Sequence, residues 1–155
     1  MLVTELLSEA RVAIRKPSEP ALDKRAALGL LASLLAQGTG APPERIEQAL
    51  LEREALQSTG IGEGVAIPHE KLPDIENQCA ALIVVPRGLA FDAIDGQDVN
   101  LIFGVVGPRK ALVEHLKVLA KVSKLLRQRS LRERLLASET PHAAFELLST
   151  EERKP

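Results

Sequence analysis

Hydrophobic residues recur along this chain of 155 residues at two spacings, one typical of amphipathic helices and one typical of buried strands. The apolar run from Val12 to Ile14 predicts a short strand. Helical spacing then predicts a helix from Pro20 to about Gln37, which the two glycines in residues 38–40 end. The chain is therefore expected to begin with a strand followed by a helix.

A second helix is predicted to begin near Pro43, with Ile46, Ala49 and Leu50 on one side. Arg53 follows at helical spacing from Ile46 and Leu50, so it extends the inward stripe just before a glycine-rich segment. We therefore expect the guanidinium of Arg53 to have a specific target.

Three apolar runs beyond the glycine-rich segment predict further strands. They cover residues 65–67, 80–85 and 99–106, and the last two are nearly unbroken, as in central strands that are covered on both faces. Asp95 and Gly96 mark a turn between Phe91 and Val99.

The last third of the chain returns to helical spacing. It predicts a helix from Lys110 to about Gln128, a short helix from Leu131 to Leu136, and one that begins at Pro141, is capped by Thr140 and ends at Leu148. In the first of these, five apolar residues are expected to face inward: Leu112, Leu116, Leu119, Val122 and Leu126.

Strands interleaved with helices predict an α/β fold, a single three-layer domain in which helices pack on both faces of a mixed central β-sheet. The domain is expected to span residues 1–150, and residues 151–155 are expected to form a flexible C-terminal tail. The only cysteine, Cys79, opens an apolar strand, so we expect a buried and inert thiol.

Charge and hydropathy exclude several functions. A net charge of −1 leaves no electrostatic footprint for nucleic acid or an anionic membrane. The longest apolar run, Cys79 to Pro86, is much shorter than the ~20 residues of a membrane-spanning helix. The N-terminus also lacks the charged and apolar regions of a signal peptide. These observations predict a soluble, cytoplasmic protein.

The strongest candidate for chemistry is the segment from Ser58 to His69, in which a glycine-rich loop leads into a short apolar strand that ends in an imidazole. Unhindered backbone N–H groups, two hydroxyls and a nearby histidine are the groups needed to hold a phosphoryl group beside a nucleophile. Glycines at this spacing also serve any tight turn with positive φ, so the loop alone leaves a purely structural role open.

A longer pattern around this loop carries more information. Arg53-Glu54-x-x-x-Ser58-Thr59-Gly60-Ile61-Gly62 precedes Ile67-Pro68-His69, and Phe91-Asp92-Ala93-Ile94-Asp95 follows. The whole run resembles the active-site motif of the enzyme IIA proteins of the mannitol/fructose class in the bacterial phosphoenolpyruvate phosphotransferase system. It is most similar to the stand-alone nitrogen-regulatory branch. The resemblance extends from about Leu2 to Leu148.

The resemblance implies a phosphocarrier that takes a phosphoryl group from an HPr-like protein onto Nε2 of His69 and acts in nitrogen-related signal transduction with regulatory target proteins. It also implies that His115, which alone would fit a core histidine, lies next to the phosphorylated one. No metal or other cofactor is expected. In-line transfer needs donors for the phosphoryl oxygens. The candidates are the Arg53 guanidinium, the Ser58 and Thr59 hydroxyls, the Gly60 and Gly62 N–H groups and an N–H of His115.

Glu70 departs from the family pattern, which usually has a small residue, most often glycine, directly after the reactive histidine. A carboxylate within a few ångströms of a phosphoryl group would cost on the order of 1 to 4 kcal/mol at effective dielectrics of 80 to 20. The two-residue period of a strand could instead direct Glu70 away from His69. Glu70 is therefore a possible modulator whose orientation the sequence leaves open.

Three other functions remain open at this point. The first is a sugar-specific enzyme IIA of the fructose or mannitol type. The second is a non-phosphorylated regulatory interaction module, with the basic stripe Lys117, Lys121, Lys124 and Arg127 as a docking surface or simply a solvated face. The third is a metallohydrolase that uses His69, Glu70 and His115. These residues lack the helical spacing of zinc-binding histidines. No role is assigned to His142.

Overall fold

The structure is a computed structural model that describes residues 2–155. Two 3-10 turns, Val3–Glu5 and Glu9–Arg11, precede the first strand. The strands are β1 (Val12–Ile14), β2 (Gly60–Gly62), β3 (Val65–Ala66), β4 (His69–Leu72), β5 (Cys79–Leu89) and β6 (Val99–Pro108). The helices are α1 (Lys24–Thr39), α2 (Pro43–Leu56), α3 (Leu112–Leu126), α4 (Arg129–Ala137) and α5 (Pro141–Glu152).

All six strands form one mixed sheet in the order β1-β5-β6-β3-β2, with β4 also paired to β6. The central pair β5 and β6 is antiparallel, as is β2 with β3. Parallel pairs join β1 to β5, β3 to β6 and β4 to β6. Because β3 and β4 both pair with β6, Ile67 and Pro68, which connect them, also lie beside β6.

Alternate residues of the central strands face two separate hydrophobic cores. On β5, Ile83 packs into the core that α1 and α2 contribute to, whereas Leu82 and Val84 pack into the core of α3, α4 and α5. This explains why the apolar runs of β5 and β6 are unbroken, because both faces of the sheet are covered. The predicted single three-layer α/β domain is confirmed.

The predicted start of the first helix at Pro20 is wrong, because α1 begins at Lys24. The carboxylate of Asp23 accepts a hydrogen bond from the N–H of Ala26 at 2.8 Å, which is the usual geometry of an N-cap. A side chain at Gly38 would lie 2.5 Å from the sulfur of Cys79, so this glycine allows α1 to approach β5. Cys79 is buried as expected, and burial raises the pKa of its thiol.

The inward face of α3 also differs from the prediction. The predicted inward placement of Leu112 and Leu116 is wrong, because they are 48% and 55% exposed, whereas Val122 and Leu126 are buried as predicted, together with His115 and Val118. Apolar residues occupy more than one face of this helix, so periodicity alone could not select the face that meets the sheet.

The C-terminal helix continues to Glu152, so the prediction that the tail starts at residue 151 is wrong for its first two residues. The Glu152 carboxylate accepts hydrogen bonds from the N–H of Val3 and from the N–H and hydroxyl of Thr4, the latter two at 2.9 and 2.8 Å. These contacts join the two ends of the described chain. Thr140 caps α5 as predicted, accepting a bond from the N–H of Ala143.

Candidate functional site

The glycine-rich segment is a hairpin rather than an open loop. β2 and β3 pair through a turn in which Gly62, Glu63 and Gly64 all have positive φ, at 101°, 58° and 80°. A side chain at Gly64 would lie 2.6 Å from Oδ1 of Asn100. A purely structural role therefore explains Gly62 and Gly64, because the turn needs left-handed backbone and close packing.

His69 begins β4, whereas the sequence placed it at the end of the preceding strand. Its Nδ1 lies 2.7 Å from the carbonyl oxygen of Ile67. A carbonyl can only accept, so Nδ1 is the protonated nitrogen and Nε2 keeps its lone pair in the neutral ring. The ring is half-buried, with Nε2 as its uncommitted nitrogen. This tautomer leaves the lone pair of Nε2 free.

His115 lies beside His69, with the two ring centroids 5.6 Å apart. The residue is only 2% exposed, and neither ring nitrogen has a hydrogen-bond partner within the described part of the chain. Burial, followed by the influence of His69 and Lys71, lowers the pKa of His115 from 6.5 to about 4. The ring is therefore neutral near pH 7 and holds one N–H for which the described protein supplies no acceptor.

A cleft of about 370 Å³ opens at His69, and five of the predicted site residues line it: Arg53, Ser58, Thr59, Gly60 and His69. Ile61 and Ile94 give the same cleft an apolar rim. The Arg53 guanidinium donates one bond, 2.8 Å long, to the carbonyl of Gln57, and its other N–H groups have no partner among residues 2–155. Gly62 instead lines a neighbouring cleft, so the structure separates it from the other predicted phosphate ligands.

The remaining donors of the loop are engaged within the protein. The Ser58 hydroxyl donates to the carbonyl of Phe91 at 2.9 Å and accepts from the N–H of Gly60 at 3.1 Å. The N–H and hydroxyl of Thr59 both donate to Glu54. Among the predicted site residues, Arg53, His69 and His115 are therefore the ones with side-chain nitrogens that have no hydrogen-bond partner in the described structure.

Glu54 is the site residue to which the sequence gave no role. It follows Leu50 by four positions on the inward stripe of α2, and this periodicity could have revealed that it is buried. Its carboxylate forms an ion pair with Lys24 at 3.2 Å. Lys24 was not considered either, because it lies in the first turn of α1, far away in the chain.

Glu70 lies on the other side of β4 from the His69 cleft. It lines a separate cleft of about 750 Å³ beside α2, together with Glu52, Lys71 and Arg109. One of its carboxylate oxygens accepts a bond from the N–H of Lys71 at 2.8 Å. Glu70 is not among the residues that line the His69 cleft, which answers the question of its orientation that the sequence left open.

Other side chains contribute little to the site. His142 is exposed and lies 2.6 Å from a carboxylate oxygen of Glu9, far along the chain. No three histidine, cysteine, aspartate or glutamate side chains among residues 2–155 are grouped so that they could hold a metal ion. No helix in this range is long and apolar enough to cross a bilayer.

Comparison with known proteins identifies the chain as a component of the phosphotransferase system. Residues 6–151 match the family described as phosphoenolpyruvate-dependent sugar phosphotransferase system, EIIA 2, and the chain belongs to that family. It is 35% identical to a nitrogen regulatory protein of Bradyrhizobium diazoefficiens over 149 residues, which cover 96% of this chain and 95% of the relative. It is 30% identical to the fructose-specific EIIABC component of Bacillus subtilis, covering 99% of this chain and 24% of that longer protein.

Solved structures support the same assignment. The nitrogen regulatory protein IIA-Ntr of Neisseria meningitidis superposes with a TM-score of 0.85 at 31% identity, covering 94% of this chain and 98% of that one. The mannitol IIA protein of Escherichia coli superposes with a TM-score of 0.74 at 25% identity, covering 91% and 97% of the two chains. The predicted resemblance is thus confirmed.

Proposed function

We propose that this protein is a phosphocarrier that accepts a phosphoryl group on Nε2 of His69 from the phosphohistidine of an HPr-like protein, and that it acts in nitrogen-related phosphotransferase signalling. The observation that carries the proposal is the bond between Nδ1 of His69 and the Ile67 carbonyl, because it leaves Nε2 as the nucleophile. The nitrogen regulatory relatives, which match almost end to end, support the signalling role.

Transfer begins when the donor's phosphohistidine enters the cleft. The lone pair of Nε2 attacks phosphorus in line, an N–P bond forms at His69, and the donor's N–P bond breaks with its electron pair returning to the donor nitrogen. The phosphorylated ring keeps the proton on Nδ1 and becomes more positive. The carbonyl of Ile67, already 2.7 Å from Nδ1, stabilises that charge.

Two donors are available for the charge on the equatorial oxygens. Arg53 lines the cleft with a guanidinium that makes one bond to Gln57, which leaves donors for a planar, bidentate contact. His115 is neutral and supplies one N–H at the buried side of His69. Such preorganised donors stabilise developing charge without having to reorganise during the reaction.

The second candidate is a sugar-specific enzyme IIA, which the fructose-specific relatives favour. A non-phosphorylated interaction module would be favoured if Glu70 opposed the phosphoryl group, and the placement of Glu70 in the α2 cleft weakens that alternative. The basic residues Lys117, Lys124 and Arg127 are exposed on and after α3, where a regulatory target could still dock.

The test is incubation with phosphoenolpyruvate, enzyme I and an HPr-type donor, followed by intact-mass measurement. We expect one acid-labile phosphoryl group on the wild type and on the matched control His142→Gln, and none on His69→Gln. Onward transfer to a fructose-type enzyme IIB would favour the sugar-specific candidate. A wild type that gains no mass, although the donor is phosphorylated, would contradict the phosphocarrier function.

A further inference from the structure

The Glu54 carboxylate is a buried hub of hydrogen bonds at the end of α2. The residue is only 7% exposed, and both carboxylate oxygens have partners. Oε1 accepts from the N–H of Thr59 at 2.8 Å and pairs with Nζ of Lys24 at 3.2 Å. Oε2 accepts from the Thr59 hydroxyl at 2.6 Å. A charge buried this deeply needs such partners, because an unpaired one would be costly.

We propose that Glu54 is a positioning residue for phosphoryl transfer, a role that rests on the proposed function of His69. Glu54 holds Thr59 in place and thereby sets both the wall of the cleft and the ring orientation of His69. In the described structure, the Glu54 carboxylate forms no hydrogen bond with either histidine. Its proposed role is therefore separate from the assignment of the cleft to phosphate chemistry.

A continuous series of hydrogen bonds leads from Glu54 to the nucleophile. Thr59 is fixed by Glu54 through two bonds, and the carbonyl of Thr59 accepts the N–H of Ile67 at 3.0 Å. The carbonyl of Ile67 in turn accepts from Nδ1 of His69 at 2.7 Å. Movement of Thr59 would therefore shift the carbonyl that selects the tautomer of His69.

Lys24 connects the same carboxylate to the opposite rim of the cleft. Its Nζ also lies 3.4 Å from the carboxylate of Asp92 and 4.9 Å from the ring centre of Phe91. The carbonyl of Phe91 accepts from the hydroxyl of Ser58, which lines the cleft. Glu54 and Lys24 thus join α1, α2 and the two loops that face His69.

The test is the single-turnover rate of phosphoryl transfer from a phosphorylated HPr-type donor. Glu54→Ala and Thr59→Val should each transfer roughly 10- to 100-fold more slowly, since a displacement of about 1 Å can cost a hundredfold. Thr59→Ser keeps both donors to Glu54 and should transfer much faster than Thr59→Val. The matched control is Glu52→Ala, which removes an exposed carboxylate of the same helix that accepts only from Gln48 in the structure.

Two further measurements separate positioning from general loss of structure. If Glu54 acts through Thr59, the double variant Glu54→Ala/Thr59→Val should be no slower than the slower single variant. Ring ¹⁵N shifts of His69 should show Nδ1–H in the wild type and in Thr59→Ser, and a mixture of tautomers in Glu54→Ala. Should Glu54→Ala fail to fold, Glu54→Gln and the comparison of Thr59→Val with Thr59→Ser decide the question.

Wild-type rates in folded Glu54→Ala or Glu54→Gln, together with unchanged His69 shifts, would overturn the positioning role while leaving the phosphocarrier function intact. Multiplicative losses in the double variant would also overturn it. A wild type that accepts no phosphoryl group would instead refute the proposed function itself, and the positioning role would fall with it.

Discussion

His115 should make the stability of this protein strongly dependent on pH, and His115→Leu should remove that dependence. His115 is 2% exposed, neither of its ring nitrogens has a partner among the residues that the structure describes, and its pKa falls from 6.5 in the unfolded chain to about 4. Leucine is apolar and similar in size, so it preserves the packing of α3 against β6 while removing the titrating group.

The sign and size follow from proton linkage. Between pH 4 and 6.5 the unfolded chain binds a proton at His115 that the folded protein does not, so the free energy of unfolding falls as the pH is lowered through this window. The stabilising effect of keeping the ring neutral is complete above pH 6.5. Because one pKa unit corresponds to about 1.4 kcal/mol, lowering the pH from about 7.5 to about 4.5 should cost about 2 to 3 kcal/mol through this residue.

The assay is urea unfolding of the wild type, His115→Leu and the exposed control His142→Gln at both pH values. We expect the wild type and His142→Gln to lose about 2 to 3 kcal/mol more than His115→Leu on acidification. A constant offset between wild type and His115→Leu at the two pH values would refute this reasoning. It would mean that the buried ring acquires a proton without penalty.

Three further predictions concern other residues. Arg53→Ala should slow phosphoryl transfer roughly 10²- to 10³-fold with an unchanged circular dichroism spectrum, and wild-type rates in the folded variant would place the charge donor elsewhere. Glu70→Gln and Glu70→Gly should transfer at the wild-type rate, whereas acceleration of both would show that the carboxylate opposes the phosphoryl group after all. Glu152→Ala should lower the free energy of unfolding by about 1 to 3 kcal/mol in urea, because it leaves the buried donors of Thr4 unpaired; an unchanged midpoint would argue against that contact.

Local patterns predicted the elements whose signals lie within a few residues. The strand from Val12 to Ile14, the start of α2 at Pro43 and the Thr140 cap of α5 agree with the structure. The unbroken apolar runs correctly predicted central strands with both faces covered. Each of these signals depends on sequence spacing or on a single cap.

Features set by distant contacts were missed. The inward face of α3 depends on which apolar stripe meets the sheet, and Leu112 and Leu116 were as apolar as the residues that do. Glu152 is held by Thr4 at the other end of the chain, so its hydrogen bonds could not be inferred from a polar C-terminus. The strand predicted at residues 65–67 corresponds to β3, whereas β2 was missed because its three residues are too few to show an alternating pattern.

The candidate site shows the same division. His69 and Arg53 could be found from their motif and spacing, and the structure brings both to one cleft. The engagement of Thr59 by Glu54 could not be found this way, because a glutamate on an inward stripe is ordinarily discounted as a core residue. The ion pair with Lys24 and the two hydrogen bonds from Thr59 make its burial acceptable.

The proposed phosphocarrier function depends most directly on which histidine nitrogen carries the phosphoryl group. Uniformly ¹⁵N-labelled protein, phosphorylated through an HPr-type donor, can be examined for ³¹P–¹⁵N coupling in the imidazole rings. We predict coupling to Nε2 of His69 alone, with Nδ1 still protonated toward Ile67. Coupling to Nδ1 of His69, or to either nitrogen of His115, would contradict the central claim.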